Sequence, residues 1–181
     1  MTVAARATIK DLYAFAGKAE LVQGELVIMP PTGDMPNRGA GSIFASLLEF
    51  ERRTKLGRAY TDNIGYAVHL PHRESFSPDV SFFTVERGGM RFLEGAPIFA
   101  VEVRSENDYG DAAERVMAQK RADYFACGTL TVWDVDLLGE EVIRSYRADL
   151  PYTATIFKRD ETANAEPAVP GWTLAVNELF L

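Results

Sequence analysis

Two carboxylates and one amine carry the chemistry open to this sequence. Asp79 follows Ser77-Pro78 at the head of a β-type run, Val80 to Thr84, and Glu102 is the one charged residue in the otherwise apolar run Ile98 to Val103. If the two runs are neighbouring strands, both carboxylates reach one end of a sheet. Together with the Val103 carbonyl they make an all-oxygen site, which suits Mg2+ or Mn2+. Singly the signals are weak. An Asp after Pro is ordinary turn chemistry, and a Glu near a strand end is often a solvated edge residue.

The helix that follows strengthens the pattern. Asp111 to Ala126 has helical spacing and stops at Gly128. At about 100° per residue, Ala113, Val116, Met117, Tyr124 and Cys127 share one arc with Lys120 at its centre. A lysine there needs an anionic partner or must snorkel to water. Ile98 to Val103, this helix and Leu130 to Val135 form a βαβ unit, so the two strands are expected to be parallel, with the helix lying across the sheet beside Glu102. Asp79 and Glu102 are then the natural partners of Lys120. Tyr124, one turn on, either bonds near the site or packs. Arg104 alternates back to the side of Glu102, as a cation for phosphate or as a strand-end surface residue. Glu20 and Glu25 flank a turn at Gln23-Gly24. Local sequence favours structural roles for both, although Glu20 can reach the acidic site and complete a cation shell.

Other elements are expected around these. Thr8 to Phe15 reads as a short helix with Thr8 and Asp11 as a capping pair, stopped by Gly17. Glu20 to Met29 reads as a hairpin, broken by Pro30-Pro31-Thr32-Gly33. Gly39 to Gly41 leads into a helix from Ser42 to about Arg53, closed by Gly57. Arg58 to Asp62 and Tyr66 to Leu70 look like paired strands. The run Ile98 to Val103 suggests a central strand buried on both faces. Val142 to Tyr146 and Tyr152 to Phe157 read as edge strands, and Val176 to Leu179 as a closing turn.

The 181 residues suit one domain, with 47% hydrophobic and 25% charged residues. A single cysteine, Cys127, rules out an intrachain disulfide and a cysteine-rich zinc cage. His69 and His72 are too few for a histidine-rich metal site. There is no apolar run of about 18 residues for a membrane span and no apolar core near Met1 for a secretory signal, so a cytoplasmic protein is expected. The net charge of −7 argues against strong, indiscriminate DNA binding, although a local basic patch or a bound cation can still meet phosphates.

Taken in order, several markers carry a resemblance. They are Glu20-Leu21-Val22-Gln23-Gly24-Glu25 before Pro30-Pro31, Ser77-Pro78-Asp79-Val80, Val101-Glu102-Val103-Arg104-Ser105, Lys120 with Tyr124, Val132-Trp133-Asp134-Val135-Asp136, and Val169-Pro170-Gly171-Trp172 before Leu179-Phe180. The chain resembles the Uma2 family, formerly a domain of unknown function, of restriction-endonuclease-like proteins in the PD-(D/E)XK nuclease superfamily. The resemblance implies an α/β fold with a mixed central sheet flanked by helices, an N-terminal hairpin and antiparallel edge strands. It implies Mg2+ or Mn2+ on Asp79, Glu102 and Val103, with Lys120 as the superfamily's lysine displaced onto a helix. It also implies metal-dependent hydrolysis of DNA and a homodimer; the apolar edge segment Tyr152 to Phe157 can pair with a second copy or be covered by a loop. A histidine frequent in the family's first helix region is replaced here by Asn37-Arg38. The competing reading is a non-catalytic nucleic-acid or protein-binding module on the same fold.

Overall fold

The computed structural model describes residues 6–84 and 89–180. The chain opens with helix α1 (Ile9–Ala14), whose Thr8 and Asp11 form the expected reciprocal cap. Strands β1 (Ala19–Val22) and β2 (Glu25–Ile28) form the hairpin. Its turn is tight because Gln23 and Gly24 both take positive φ, 53° and 77°, the backbone twist a two-residue hairpin needs.

Helix α2 (Asp34–Thr54) begins well before the expected Ser42. Pro36 lies in the first helical turn, where a missing N–H costs no hydrogen bond. Gly39 is not a breaker but a packing position, since a Cβ there would stand 2.8 Å from Leu137 Cδ1. The helix ends at Lys55, which takes the left-handed conformation (φ 57°), rather than at Gly57.

Two sheets follow. The first, in the order β2-β1-β5-β4-β7, adds β4 (Tyr66–Leu70), β5 (Arg73–Phe76) and β7 (Leu93–Glu94) to the hairpin. The second contains β3 (Arg58–Tyr60), β6 (Val80–Phe83), β8 (Phe99–Val103), β9 (Thr131–Val135), β10 (Ile143–Arg147) and β11 (Leu150–Phe157), in the order β11-β10-β9-β8-β6-β3. The expected pairing of Arg58–Asp62 with Tyr66–Leu70 is therefore corrected: β3 pairs with β6, and β4 with β5 and β7. The reason is the unforeseen strand β5, which takes the pairing edge of β4. Similarly, of the two strands expected at edges, β10 lies inside its sheet and β11 is at an edge. Helix α3 (Asp111–Ala126) joins β8 to β9, which run parallel as expected. A small pair, β12 (Thr162–Asn164) with β13 (Thr173–Ala175), and a 3-10 turn (Val176–Phe180) close the chain.

The period-two alternation of β8 decides what faces what. Phe99, Val101 and Val103 join Trp133, Val135, Ile43, Leu47 and Phe50 in a core beneath α2. Ala100 points the other way, with Val132, Tyr124 and Phe76, so Glu102 emerges on the α3 side. The apolar arc expected on α3 is only partly buried. Tyr124 is buried, but Val116 is 66% exposed. Helix α3 is covered mainly through Tyr124 and the charged Asp123. None of the described helices is long and apolar enough to cross a membrane.

Candidate active site

Asp79 enters β6 with its backbone N–H bonded to Val101 O at 3.1 Å. Its Oδ2 accepts the Val103 N–H at 2.8 Å. The antiparallel pairing of β6 with β8 thus fixes the Asp79 carboxylate beside the residue after Glu102. Glu102 receives the ammonium of Lys120 at 2.8 Å and the hydroxyl of Tyr124 at 2.7 Å, both on Oε1. Tyr124 is held by a stack on Phe76, with centroids 4.0 Å apart and planes 16° off parallel.

Glu20 completes the arrangement from the first sheet. It is 4% exposed, and its Oε1 faces Lys120 Nζ at 2.9 Å while accepting the Ser77 N–H at 2.8 Å. Its Oε2 accepts Arg73 Nη1 at 2.6 Å. Arg73 reaches on to Asp123 Oδ2 at 2.8 Å, and Asp123 Oδ1 meets His72 Nε2 at 2.8 Å and Gln119 Nε2 at 2.7 Å. A continuous ladder of polar contacts therefore runs from half-exposed His72 through Asp123, Arg73, Glu20 and Lys120 to Glu102. It satisfies the buried carboxylates, each of which would be costly alone.

Electrostatics follow from this crowding. Burial pushes the Glu102 carboxyl up to about 7; Lys120 opposes that rise, while Asp79 and Glu20 add to it. Burial acts against the charge of Lys120, but Glu102 and Glu20 outweigh it and hold the amine above its ordinary value. For Glu20 burial also favours the neutral acid, yet Lys120 and Arg73 hold the carboxyl below its usual range. The buried trio is best described as Lys120 and Glu20 charged, with Glu102 the member that titrates near neutrality.

The structure gathers Glu102, Glu20 and Tyr124 around Lys120 and sets Asp79 against the Val103 N–H; the ion-pair partner of Asp79 is Lys18 rather than the expected Lys120. Arg104 is placed differently from either expectation. It is buried, with Nε and Nη2 on the two oxygens of Asp134 at 2.7 Å each and further contacts to Glu114. Its charge is spent on a structural clamp between β8, β9 and α3. Glu25 is exposed as expected, and Asn37 and Arg38 lie exposed on α2.

Sequence reasoning missed Lys18, Arg73 and Asp123. Lys18 Nζ contacts Asp79 Oδ1 at 2.8 Å and Asp62 Oδ1 at 2.5 Å. It precedes β1 on the same alternation as Glu20, a signal present in the sequence. Asp123 lies one turn from Lys120 at i+3, also legible in principle. Arg73 sat in a segment too short and polar to read as a strand.

Lys18, Glu20, Arg73, Asp79, Glu102 and Lys120 line a cleft of about 850 Å³. Its lining also includes the apolar residues Val27, Met29, Pro30, Met35, Val116 and Leu138. Among the described residues no three His, Cys, Asp or Glu side chains gather into a ready-made metal cage.

The fold is of the restriction-endonuclease-like class. The Uma2 family model, described as "Putative restriction endonuclease", matches residues 10–177, and the chain belongs to that family. Among solved structures it is similar to a "putative nuclease belonging to DUF820" from Anabaena variabilis ATCC 29413. The TM-score is 0.74 and the identity 17%, covering 96% of this chain and 97% of that one. No curated protein matches the sequence.

Proposed function

We propose that the chain is a metal-dependent nuclease that hydrolyses phosphodiester bonds of DNA. The observation that carries this reading is the convergence of Glu102 and Glu20 on the Lys120 ammonium, at 2.8 and 2.9 Å, beside an Asp79 carboxylate bonded to Val103 N–H. The donor set fits a hard cation. Asp79, Glu102 and the Val103 carbonyl offer oxygen only, and Mg2+ is commonly held by one or two carboxylates plus water and substrate phosphate rather than by a full protein cage. These three would hold Mg2+ or Mn2+, which supplies Lewis acidity toward a phosphoryl oxygen and lowers the pKa of a bound water.

The chain's own residues do the rest. Lys120, a donor without acceptor capacity, would offer positive charge to the oxygens that gain charge in the transition state or orient the attacking water. Glu20 fixes the Lys120 Nζ from the side opposite α3, and Arg73 and Ser77 fix Glu20. Tyr124 holds the Glu102 carboxylate. The exposed edge β11, where Tyr152 is 95% exposed, is where a second copy would add a strand if the chain dimerises to cut both strands.

The test is cleavage of plasmid and oligonucleotide DNA with Mg2+ or Mn2+ by the native chain and by Asp79→Ala. Cutting by the native chain that is lost in the variant supports the reading. Equal cutting by both refutes the site. Absence of cutting by either chain favours the non-catalytic binding module.

A further inference from the structure

Lys18 is a charged group of the cleft that the mechanism above does not use, yet it contacts the residue on which that mechanism depends. Its ammonium lies 2.8 Å from Asp79 Oδ1 and 2.5 Å from Asp62 Oδ1. The Lys18 side chain is 13% exposed, against 17% for Asp79 and 40% for Asp62. Asp79 Oδ2 is engaged by the Val103 N–H at 2.8 Å, so Oδ1 is the oxygen on which a cation in the cleft converges. Lys18 lines that cleft together with Asp79 and Glu102.

We propose that Lys18 is the site's own counter-ion: it stands against Asp79 where the divalent cation binds, and it withdraws onto Asp62 when that cation arrives. The proposal rests on the metal-dependent reading and deepens it. An ammonium and a divalent ion on one carboxylate oxygen would stand a few ångströms apart in a partly dry cleft, where like charges repel strongly. One must yield, and the lysine has somewhere to go. Asp62 already shares its charge and is the more exposed of the two acids, so little is lost when Lys18 moves toward it.

Lys120 behaves differently. Glu20 and Glu102 both grip it, so it stays in place. Strand β1 and the residue before it therefore carry two controls. Glu20 anchors the fixed amine, and Lys18, on the same alternation, supplies the displaceable one. Lys18 holds Asp79 in place without metal, and lowers the affinity for metal as a consequence.

The experiment is a Mn2+ titration read by the electron paramagnetic resonance of free Mn2+, on the native chain and on Lys18→Met, Lys18→Arg and Asp79→Asn, with a thermal melt of each. Lys18→Met is expected to bind Mn2+ about tenfold more tightly, the equivalent of one modest ion pair. Lys18→Arg keeps the charge and stays near native affinity, and Asp79→Asn loses binding. Without metal, Lys18→Met melts below the native chain because Asp79 has lost its partner, and Mn2+ raises its melting temperature by more than it raises the native one. If native binding depends on Asp79 but Lys18→Met binds no more tightly, this inference falls and the metal reading stands. An equal gain in Lys18→Arg also overturns it, since charge would not be the cause. If neither the native chain nor Lys18→Met binds Mn2+, both fall.

Discussion

Lys120→Met removes a cation that touches both Glu20 and Glu102, and its effect on stability is expected to depend strongly on pH. Breaking a buried ion pair from one side costs about 3–5 kcal/mol when the remaining charge has no relief. Here both carboxylates have some. Glu20 keeps Arg73 at 2.6 Å and the Ser77 N–H at 2.8 Å, and Glu102 keeps the Tyr124 hydroxyl at 2.7 Å and can take up a proton. The native Glu102 already has its folded-state pKa pushed up to about 7 from 4.5. A group raised in this way contributes stability that is present below the unfolded value and lost as pH rises through the folded one. Without Lys120, the main influence favouring the carboxylate, the folded value moves further up and the loss at high pH deepens. The variant should therefore cost about 1 kcal/mol at pH 5 and about 3 kcal/mol at pH 8. Urea denaturation at both pH values measures this, and Lys120→Met/Glu102→Gln should recover most of the pH 8 loss. A cost that does not change with pH, or a double variant no better than the single, would refute the assignment of Glu102 as the titrating member of the trio.

Three further changes test the supporting structure. Tyr124→Phe keeps the stack on Phe76 but removes the hydroxyl donor to Glu102; a loss of about 1–2 kcal/mol is expected in urea denaturation. Arg104→Lys replaces a buried fork on Asp134 by a point charge; about 2–3 kcal/mol should be lost, with Mn2+ affinity within about twofold of native, because the arginine is structural. Gly57→Ala would set a Cβ 2.4 Å from the Phe82 ring and 2.9 Å from the Phe83 carbonyl oxygen; thermal melts should show about 2–3 kcal/mol of destabilisation from this overpacking.

The parts of the site that were legible in the sequence are those carried by long, regular elements. The apolar run around Glu102 and the helical spacing of Asp111 to Ala126 each match an element whose period is strong. Together they placed Lys120 over the strand, because a parallel βαβ crossover admits one side. The hairpin was equally plain from Gln23-Gly24. What escaped was set by tertiary contacts. The start of α2 was hidden by Gly39 to Gly41, which read as the lead-in to the helix until Leu137 is seen packed against Gly39. β5 is a four-residue strand in which Phe76 is the sole apolar member beside buried Arg73 and Ser75, so hydropathy passed over it, and with it went the pairing of β4 and the support of Glu20. The wheel of α3 put Val116 in the core although it faces the open cleft. Lys18 and Asp123 sat at the correct spacings from Glu20 and Lys120, but a lone charge at a strand entrance or helix end looks solvated until its partner from another element is known.

The account rests on Asp79 and Glu102 sharing one cation, and a crystal soaked in Mn2+ tests that most directly. An anomalous peak at about 2.2 Å from a carboxylate oxygen of each acid, with Lys18 moved off Asp79, is the predicted result. Full occupancy of Mn2+ elsewhere in the crystal with no peak between these two carboxylates would contradict it.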